Sequence, residues 1–132
     1  MITIDLARQL REAGLTWTPA AGDRFVVVDK EMDDQVFVIS EMTIDVQELP
    51  AGRIMKFNGT TEWALDSVDE HEVVWLPRED QLRGALGERF RSLETVTGGF
   101  AVALVDVEQR LVDIDAERAY ARALLAVIGG SD

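Results

Sequence analysis

Apolar and polar positions follow a helical period at the amino end of the chain. Leu6, Leu10 and Ala13 recur on one side, and charged residues fill the positions between them. Thr3 suits the N-cap because its hydroxyl can accept a hydrogen bond from a backbone N–H of the first turn. The pattern therefore predicts a helix over Ile4–Ala13.

The pattern then changes to the two-residue period of strands. The clearest case is Met42, Ile44 and Val46, which alternate with polar residues and indicate a strand with one wet face. Turn-forming residues separate the runs, so consecutive strands are expected to pair antiparallel in a meander. The predicted strands are Phe25–Asp29, Val36–Ser40, Met42–Gln47 and Arg53–Phe57.

The strongest turn signal is Asn58-Gly59, because a type I′ hairpin turn needs positive φ at both central residues. It predicts a hairpin that pairs Arg53–Phe57 with Thr60–Leu65. A helix over Thr60–Val68, with Thr60 as its N-cap, is the competing interpretation. The sequence leaves open whether residues 60–68 form a strand or a helix.

A short apolar run, Val73–Leu76, is typical of a buried strand. Pro77 follows it and suits a helix start, where its missing N–H costs nothing. The next residues predict a helix over Arg78–Leu86, with Gly87 placed to end it.

The last third of the chain predicts a hairpin and a helix. Phe90–Val96 and Phe100–Val107 flank Gly98-Gly99, and Asp115 is a good N-cap for a helix that ends at Gly129-Gly130. Its apolar stripe is broad, and Arg118 and Arg122 are expected to face water.

This order of elements predicts the α+β class: an antiparallel sheet (meander plus C-terminal hairpin) packed against three helices. At 132 residues the chain is expected to form a single domain, 1–132. Within it we expect two sheet units, 1–68 and 69–132, that share one core. No signal peptide and no apolar run of membrane-spanning length is seen, and cysteine is absent, so we expect a cytoplasmic protein.

The net charge of −12 comes from two windows. Asp29–Glu48 has seven acidic residues and one basic residue, and Glu62–Asp80 has the same numbers. The rest of the chain is neutral, with eleven of each sign. Nucleic acids and anionic membranes attract basic surfaces, so neither is an expected partner. A basic protein surface is the expected partner.

Few residues suggest chemistry. The one histidine, His71, lies among acids and is interpreted as a solvated loop residue. The cluster Asp29, Glu31, Asp33 and Asp34 lacks the glycine and the glutamate of a calcium loop. No metalloprotease, serine-hydrolase or phosphate-binding motif is present. We expect no catalytic residue, metal or cofactor, and a non-enzymatic role is favoured over an enzymatic one, which the sequence leaves open.

Aromatic and amide residues around the turn are the candidate binding site for a small molecule or a partner. We nominate Phe57, Asn58, Glu62 and Trp63. The competing interpretation is that the aromatic residues belong to the core, and this holds more strongly for Trp75 than for Trp63.

Two segments, FNGTTEWALDSV and VVWLPREDQLRGALG, together resemble a group of small actinobacterial proteins, some of them described as pilus-assembly related. The resemblance implies a secretion-related ATPase as partner, and the chain has no Walker motif of its own. The resemblance implies no catalytic residues for this chain.

Two main hypotheses of function follow. The first is a non-enzymatic protein-interaction or accessory module with an acidic face. The second is a small-molecule-binding protein, or an enzyme with a weak motif, with its site near Asn58 and Trp63. A third is mimicry of nucleic-acid charge by the acidic face. The oligomeric state is open: Met42–Gln47 is a candidate edge strand, although its acidic residues oppose self-pairing.

Overall fold

The computed structural model describes residues 1–28, 35–39, 43–49, 52–58, 67–69 and 72–129. These residues form three α-helices and nine strands, with a 3₁₀ turn at Gly87–Arg89. The helices are α1 (Ile4–Glu12), α2 (Glu79–Leu86) and α3 (Ala116–Ile128). The strands are β1 (Arg24–Val27), β2 (Phe37–Val38), β3 (Thr43–Leu49), β4 (Gly52–Asn58), β5 (Ser67–Asp69), β6 (Val73–Leu76), β7 (Phe90–Val96), β8 (Gly99–Leu104) and β9 (Leu111–Asp113).

The predicted α+β class with three helices is confirmed, and so are the β3–β4 pair and the C-terminal hairpin. The described strands divide among three sheets of three strands each, in the orders β2-β1-β6, β3-β4-β5 and β7-β8-β9. The sequence did not indicate this division. Period and turn signals locate strands, but they do not reveal which strands share hydrogen bonds.

Two compact units make up the chain. Unit 1 combines Met1–Thr16 with Leu76–Asp132, and unit 2 is Trp17–Trp75. The expected boundary near residue 68 is wrong, because the amino-terminal helix belongs with the carboxy-terminal half. Helix α1 packs against α3, and this contact joins the two ends of the sequence. The single domain stays a prediction.

In unit 1, α1 begins as the sequence predicted. The Oγ1 of Thr3 accepts a hydrogen bond from the N–H of Leu6 at 3.1 Å, which satisfies one donor of the first turn. Gly14 follows the helix with φ of 115°, a conformation that glycine adopts without strain. Leu6, Ala7 and Leu10 are buried.

Helix α2 starts one residue later than predicted, because Arg78 is its N-cap. The N–H of Arg78 donates to the side-chain oxygen of Gln81 at 2.8 Å, so this donor is satisfied from within the helix. Leu82 and Leu86 form the buried side. Gly87, with φ of 56°, turns the chain out of the helix as expected.

The C-terminal sheet has β8 at its centre. The chain turns from β7 to β8 through Gly98, whose φ is 81°. The predicted strand Phe100–Val107 is too long at its carboxyl end: β8 stops at Leu104, and Asp106 turns the chain with φ of 63°. That turn leads into β9, which the sequence did not predict.

Helix α3 covers one face of this sheet and contacts both β8 and β9. Its N-cap is Asp115, as predicted: Oδ2 accepts a hydrogen bond from the N–H of Arg118 at 3.0 Å. Its buried residues are Ala119, Tyr120, Ala121, Ala123 and Leu124.

In unit 2, β1 pairs antiparallel with β2, and the N–H of Val28 donates to the carbonyl of Glu72, next to β6, at 2.7 Å. Strand β4 lies between β3 and β5. The register sets Met55 opposite Val68 and Lys56 opposite Ser67. The predicted pairing of this part of β4 with Thr60–Leu65 is therefore wrong, because Ser67–Asp69 takes that edge. Residues 60–66 lie outside the described residues.

Candidate functional site

The nominated site residues are only partly described. Phe57 and Asn58 are the last two residues of β4, while Glu62 and Trp63 lie outside the described residues. The register sets Phe57 opposite Ile44 and Asn58 opposite Thr43. Successive strand residues belong to opposite faces of a sheet, so Phe57 and Asn58 do not share a face.

His71 and the acidic cluster at 29–34 also lie outside the described residues. In the part of the chain that is described, no three histidine, cysteine, aspartate or glutamate side chains are grouped so that they could hold a metal ion.

The negative charge is concentrated in unit 2. Its sequence, Trp17–Trp75, contains thirteen acidic and four basic residues, a net charge of −9. The remaining residues, those of unit 1, have twelve acidic and nine basic residues, a net charge of −3. In the β3–β4 register, Asp45 stands opposite Lys56 and Glu48 opposite Arg53. With thirteen acidic and four basic residues, the sequence of unit 2 contains far more negative than positive charge.

The tryptophans of unit 2 that are described have a structural role. The rings of Trp17 and Trp75 stack with centroids 6.0 Å apart, and Trp17 also contacts Phe25. Trp17 Nε1 donates to the Oδ2 of Asp23 at 2.8 Å, and Asp23 is only 2% exposed. The same oxygen accepts a hydrogen bond from the N–H of Ala20 at 3.0 Å. Asp23 thus holds the loop before β1 closed. No motif in the sequence marks Asp23 for this role.

An open groove of about 680 Å³ runs along the exposed side of α2 in unit 1. Gly84 leaves part of it empty, since no atom lies within 4 Å of the position that a Cβ would take there. At one wall, the guanidinium carbon of Arg83 lies 4.5 Å from the centre of the Phe90 ring, a cation–π contact. The lining residues are Glu79, Asp80, Arg83, Gly84, Gly87 and Phe90.

Two ionisable groups near this groove have shifted pKa values. Burial raises the pKa of Tyr120, whose ring lies 5.5 Å from Phe90, and the negative charge of Glu79 raises it further. Arg83 opposes both effects through its charge and a hydrogen bond to the hydroxyl. The pKa of Asp80 is lowered, chiefly by its hydrogen bond from Arg78, whose Nε lies 3.2 Å away. Both pKa shifts lead away from pH 7, so at neutral pH Tyr120 stays protonated and Asp80 stays charged.

Several exposed aliphatic residues near β9 have no signal in the sequence that predicts their exposure. Large hydrophobic side chains that are open to solvent lie in the β8–β9 connection, on β9 and directly after it. They are Val105, Val107, Val112 and Ile114. A strand of three residues is too short to show a periodic signal, so these positions could not be recognised as an exposed strand edge.

None of the helices formed by the described residues is both long and apolar enough to cross a membrane. The chain matches no protein-family model, and no curated protein or solved structure shows significant similarity to it. The resemblance to pilus-related actinobacterial proteins therefore stays a prediction.

Proposed function

We propose that this protein is a non-enzymatic protein-interaction module whose partner presents a basic surface. The observation that supports the proposal is the unequal charge of the two units, with −9 on Trp17–Trp75 and −3 on the rest. A field of one sign accelerates the encounter with a partner of the opposite sign and disfavours partners of like charge. A cytoplasmic location belongs to the same proposal, and a chain without cysteine suits it.

The competing explanation is that the acidic residues only keep the protein soluble. The two explanations differ in what they predict for the position of a charge. Solubility depends on net charge, so acids in either unit are equivalent. Recognition by unit 2 requires that acids in that unit matter more.

The test uses a fluorescent oligolysine as the probe and oligoglutamate as its control, with binding measured by anisotropy at low salt. A first variant carries Glu31→Gln, Asp33→Asn and Asp34→Asn in unit 2. A control variant also converts three acids to their amides, at exposed positions of unit 1, and both variants therefore have the same net charge. Its substitutions are Asp5→Asn, Glu12→Gln and Glu88→Gln.

We expect the unit 2 variant to lose several-fold more affinity for oligolysine than the control variant. Added salt should weaken wild-type binding, because screening shortens the range of surface charges. Equal losses in the two variants would show that only net charge matters, and the proposal would fail.

A second candidate function, small-molecule binding, is favoured by the groove on α2, whose volume of about 680 Å³ is within the range of ligand sites. A ligand that binds the native state raises the melting temperature. A screen of metabolites and nucleotides against wild type and Gly84→Leu, which fills the groove, tests this. Shifts that Gly84→Leu abolishes would locate the ligand there.

A further inference from the structure

The outer strand of the C-terminal sheet, β9, presents aliphatic side chains to solvent. Val112 is 54% exposed and Ile114 is 73% exposed, the largest exposure among the large hydrophobic residues that are described. Single exposed aliphatic residues are common on proteins. Val112 and Ile114 lie two residues apart at the end of β9, where alternate residues share a face, and together they form a small exposed apolar patch.

The backbone of β9 is also open on its outer side. In the described sheet, β9 pairs with β8 and with no other strand. The carbonyl oxygen of Asp113 is directed toward Gly99 on β8. Backbone groups of successive strand residues point to opposite sides, so the N–H and C=O of Val112 are directed out of the sheet. We call the outward side of residues 111–114 the β9 edge.

Proteins usually protect such edges with lysine, proline, a bulge or a charge on the strand. On β9 the available carboxylate, Asp113, is used elsewhere: its Oδ2 accepts a hydrogen bond from Arg122 of α3 at 2.7 Å. The side chains of Val112 and Ile114 do not protect the edge, since β-branched residues favour strand pairing.

The charges beside the edge are acidic. Asp106 and Glu108, in the connection that leads into β9, are exposed and form no ion pair with any described residue. Arg110 is the basic residue nearest in sequence, and its Nη1 lies 2.8 Å from the Oε1 of Glu94, so its charge is already matched. The negative charges of Asp106 and Glu108, unpaired within the described part of the chain, therefore favour a cationic ligand beside the β9 edge.

We propose that the β9 edge binds an extended basic segment of a partner protein, which adds as a further strand beside β9. Its backbone would pair with Val112, its aliphatic side chains would contact Val112 and Ile114, and its lysine or arginine side chains would lie near Asp106 and Glu108. A second copy of this chain carries the same net charge of −12, so charge favours a basic partner over self-pairing. The inference concerns unit 1 and does not rest on the proposed function.

The test uses a short labelled peptide of alternating lysine and valine, with a peptide of alternating glutamate and valine as control. Binding to wild type, Val112→Pro and Val112→Thr is measured by anisotropy. Proline removes the outward N–H and is tolerated at a strand edge, whereas threonine keeps the N–H and the β-branched shape. We expect Val112→Pro to weaken binding about tenfold, the effect of one lost hydrogen bond with its neighbouring contacts, and Val112→Thr to bind like wild type.

A second measurement does not depend on the folding of any variant. Hydrogen exchange of the Val112 amide in the wild type should slow when the lysine–valine peptide is added, because the peptide carbonyl covers it. Unchanged exchange at Val112, or equal binding of the peptide by wild type and Val112→Pro, would overturn the proposal.

Two other outcomes also decide the question. If sedimentation shows a wild-type dimer that Val112→Pro abolishes, and the peptide does not bind, the edge pairs with a second copy and the proposal is wrong. Oligolysine binding could still depend on the unit 2 acids while the lysine–valine peptide binds wild type and Val112→Pro equally. The proposed function would then stand, and only this docking site would be rejected.

Discussion

The Nε of Arg122 lies 2.7 Å from the Oδ2 of Asp113, and this contact ties the edge strand β9 to helix α3. The side chain of Asp113 is only 7% exposed. Its other oxygen accepts a hydrogen bond from the N–H of Asp115 at 3.1 Å and lies 2.9 Å from the Nε of Arg118, at ion-pair distance. One carboxylate thus organises the junction between strand and helix.

Replacing Asp113 with asparagine should destabilise the protein by about 1–3 kcal/mol, because a charge-assisted hydrogen bond becomes a neutral one and two guanidinium groups lose their counter-ion. Urea unfolding followed by circular dichroism measures this. Asp106→Asn is the matched control, since Asp106 is exposed and forms no ion pair within the described structure, and it should change stability by less than about 0.5 kcal/mol. Equal effects of the two substitutions would contradict the assigned role of Asp113.

Acid should remove the contribution of Asp113. Burial acts to raise the pKa of Asp113, but the hydrogen bonds from Arg122 and Asp115 and the charges of the two arginines lower it below the ordinary 3.8. A carboxyl group whose pKa is lower in the folded state stabilises the fold above its unfolded pKa, and this stability is lost as the pH falls through the folded pKa. The stability difference between wild type and Asp113→Asn should therefore be constant near neutral pH and shrink below about pH 4. A difference that stays unchanged in acid would argue against the shift.

The same junction shows what the sequence does and does not reveal. The N-cap Asp115 was predicted, because capping depends on a residue and its next three neighbours. The prediction that Arg118 and Arg122 face water was only partly right. Arg122 is exposed, but the side chain of Arg118 is 26% exposed and lies over Asp113. The acid that pairs with both arginines, Asp113, belongs to β9, and no periodic pattern in the sequence predicts this strand.

The error at β4 has a related cause. Asn58-Gly59 predicts a local turn, and the expected partner was the segment that follows it directly. The strand that pairs with Met55 and Lys56 is Ser67–Asp69, which is short and lacks a clear alternation. Local signals thus located α1, α2 and α3 to within a residue or two. The pairing of short strands, and with it the exposed surface on β9, depends on contacts that a single sequence does not display.

Tyr120 is the chain's one tyrosine, and the three tryptophans do not ionise, so the rise of near-ultraviolet absorbance with pH reports the ionisation of Tyr120. Burial, together with the charge of Glu79, raises the pKa of Tyr120 above the ordinary 10.0. The native protein should titrate above pH 10 and the urea-unfolded chain at about 10. Because the folded pKa is the higher one, stability should be lost as the pH rises above the unfolded value.

Glu79→Gln should lower the native pKa of Tyr120, since it removes a negative charge that disfavours the phenolate. Glu88→Gln makes the same chemical change at an exposed position that does not contribute to this shift. It should leave the titration midpoint where it is in the wild type. An unchanged midpoint in Glu79→Gln would show that burial alone raises the Tyr120 pKa.

Two glycines of unit 1 should respond in opposite ways to the same substitution. A Cβ at Gly99 would overlap the backbone carbonyl of Asp113 on β9, and backbone cannot move aside as a flexible side chain can. Gly99→Ala should therefore destabilise the protein by about 1–3 kcal/mol. Gly84 lies within α2, where a Cβ meets open space. Gly84→Ala should stabilise it by about 0.5–1 kcal/mol, because alanine loses less backbone entropy when the helix forms.

Thermal and urea unfolding of the two variants side by side tests both expectations, and each variant serves as the chemical control for the other. A neutral Gly99→Ala would contradict the close approach of the Asp113 carbonyl to Gly99. A stabilising effect of Gly84→Ala in the same experiment would show that the assay resolves changes of that size.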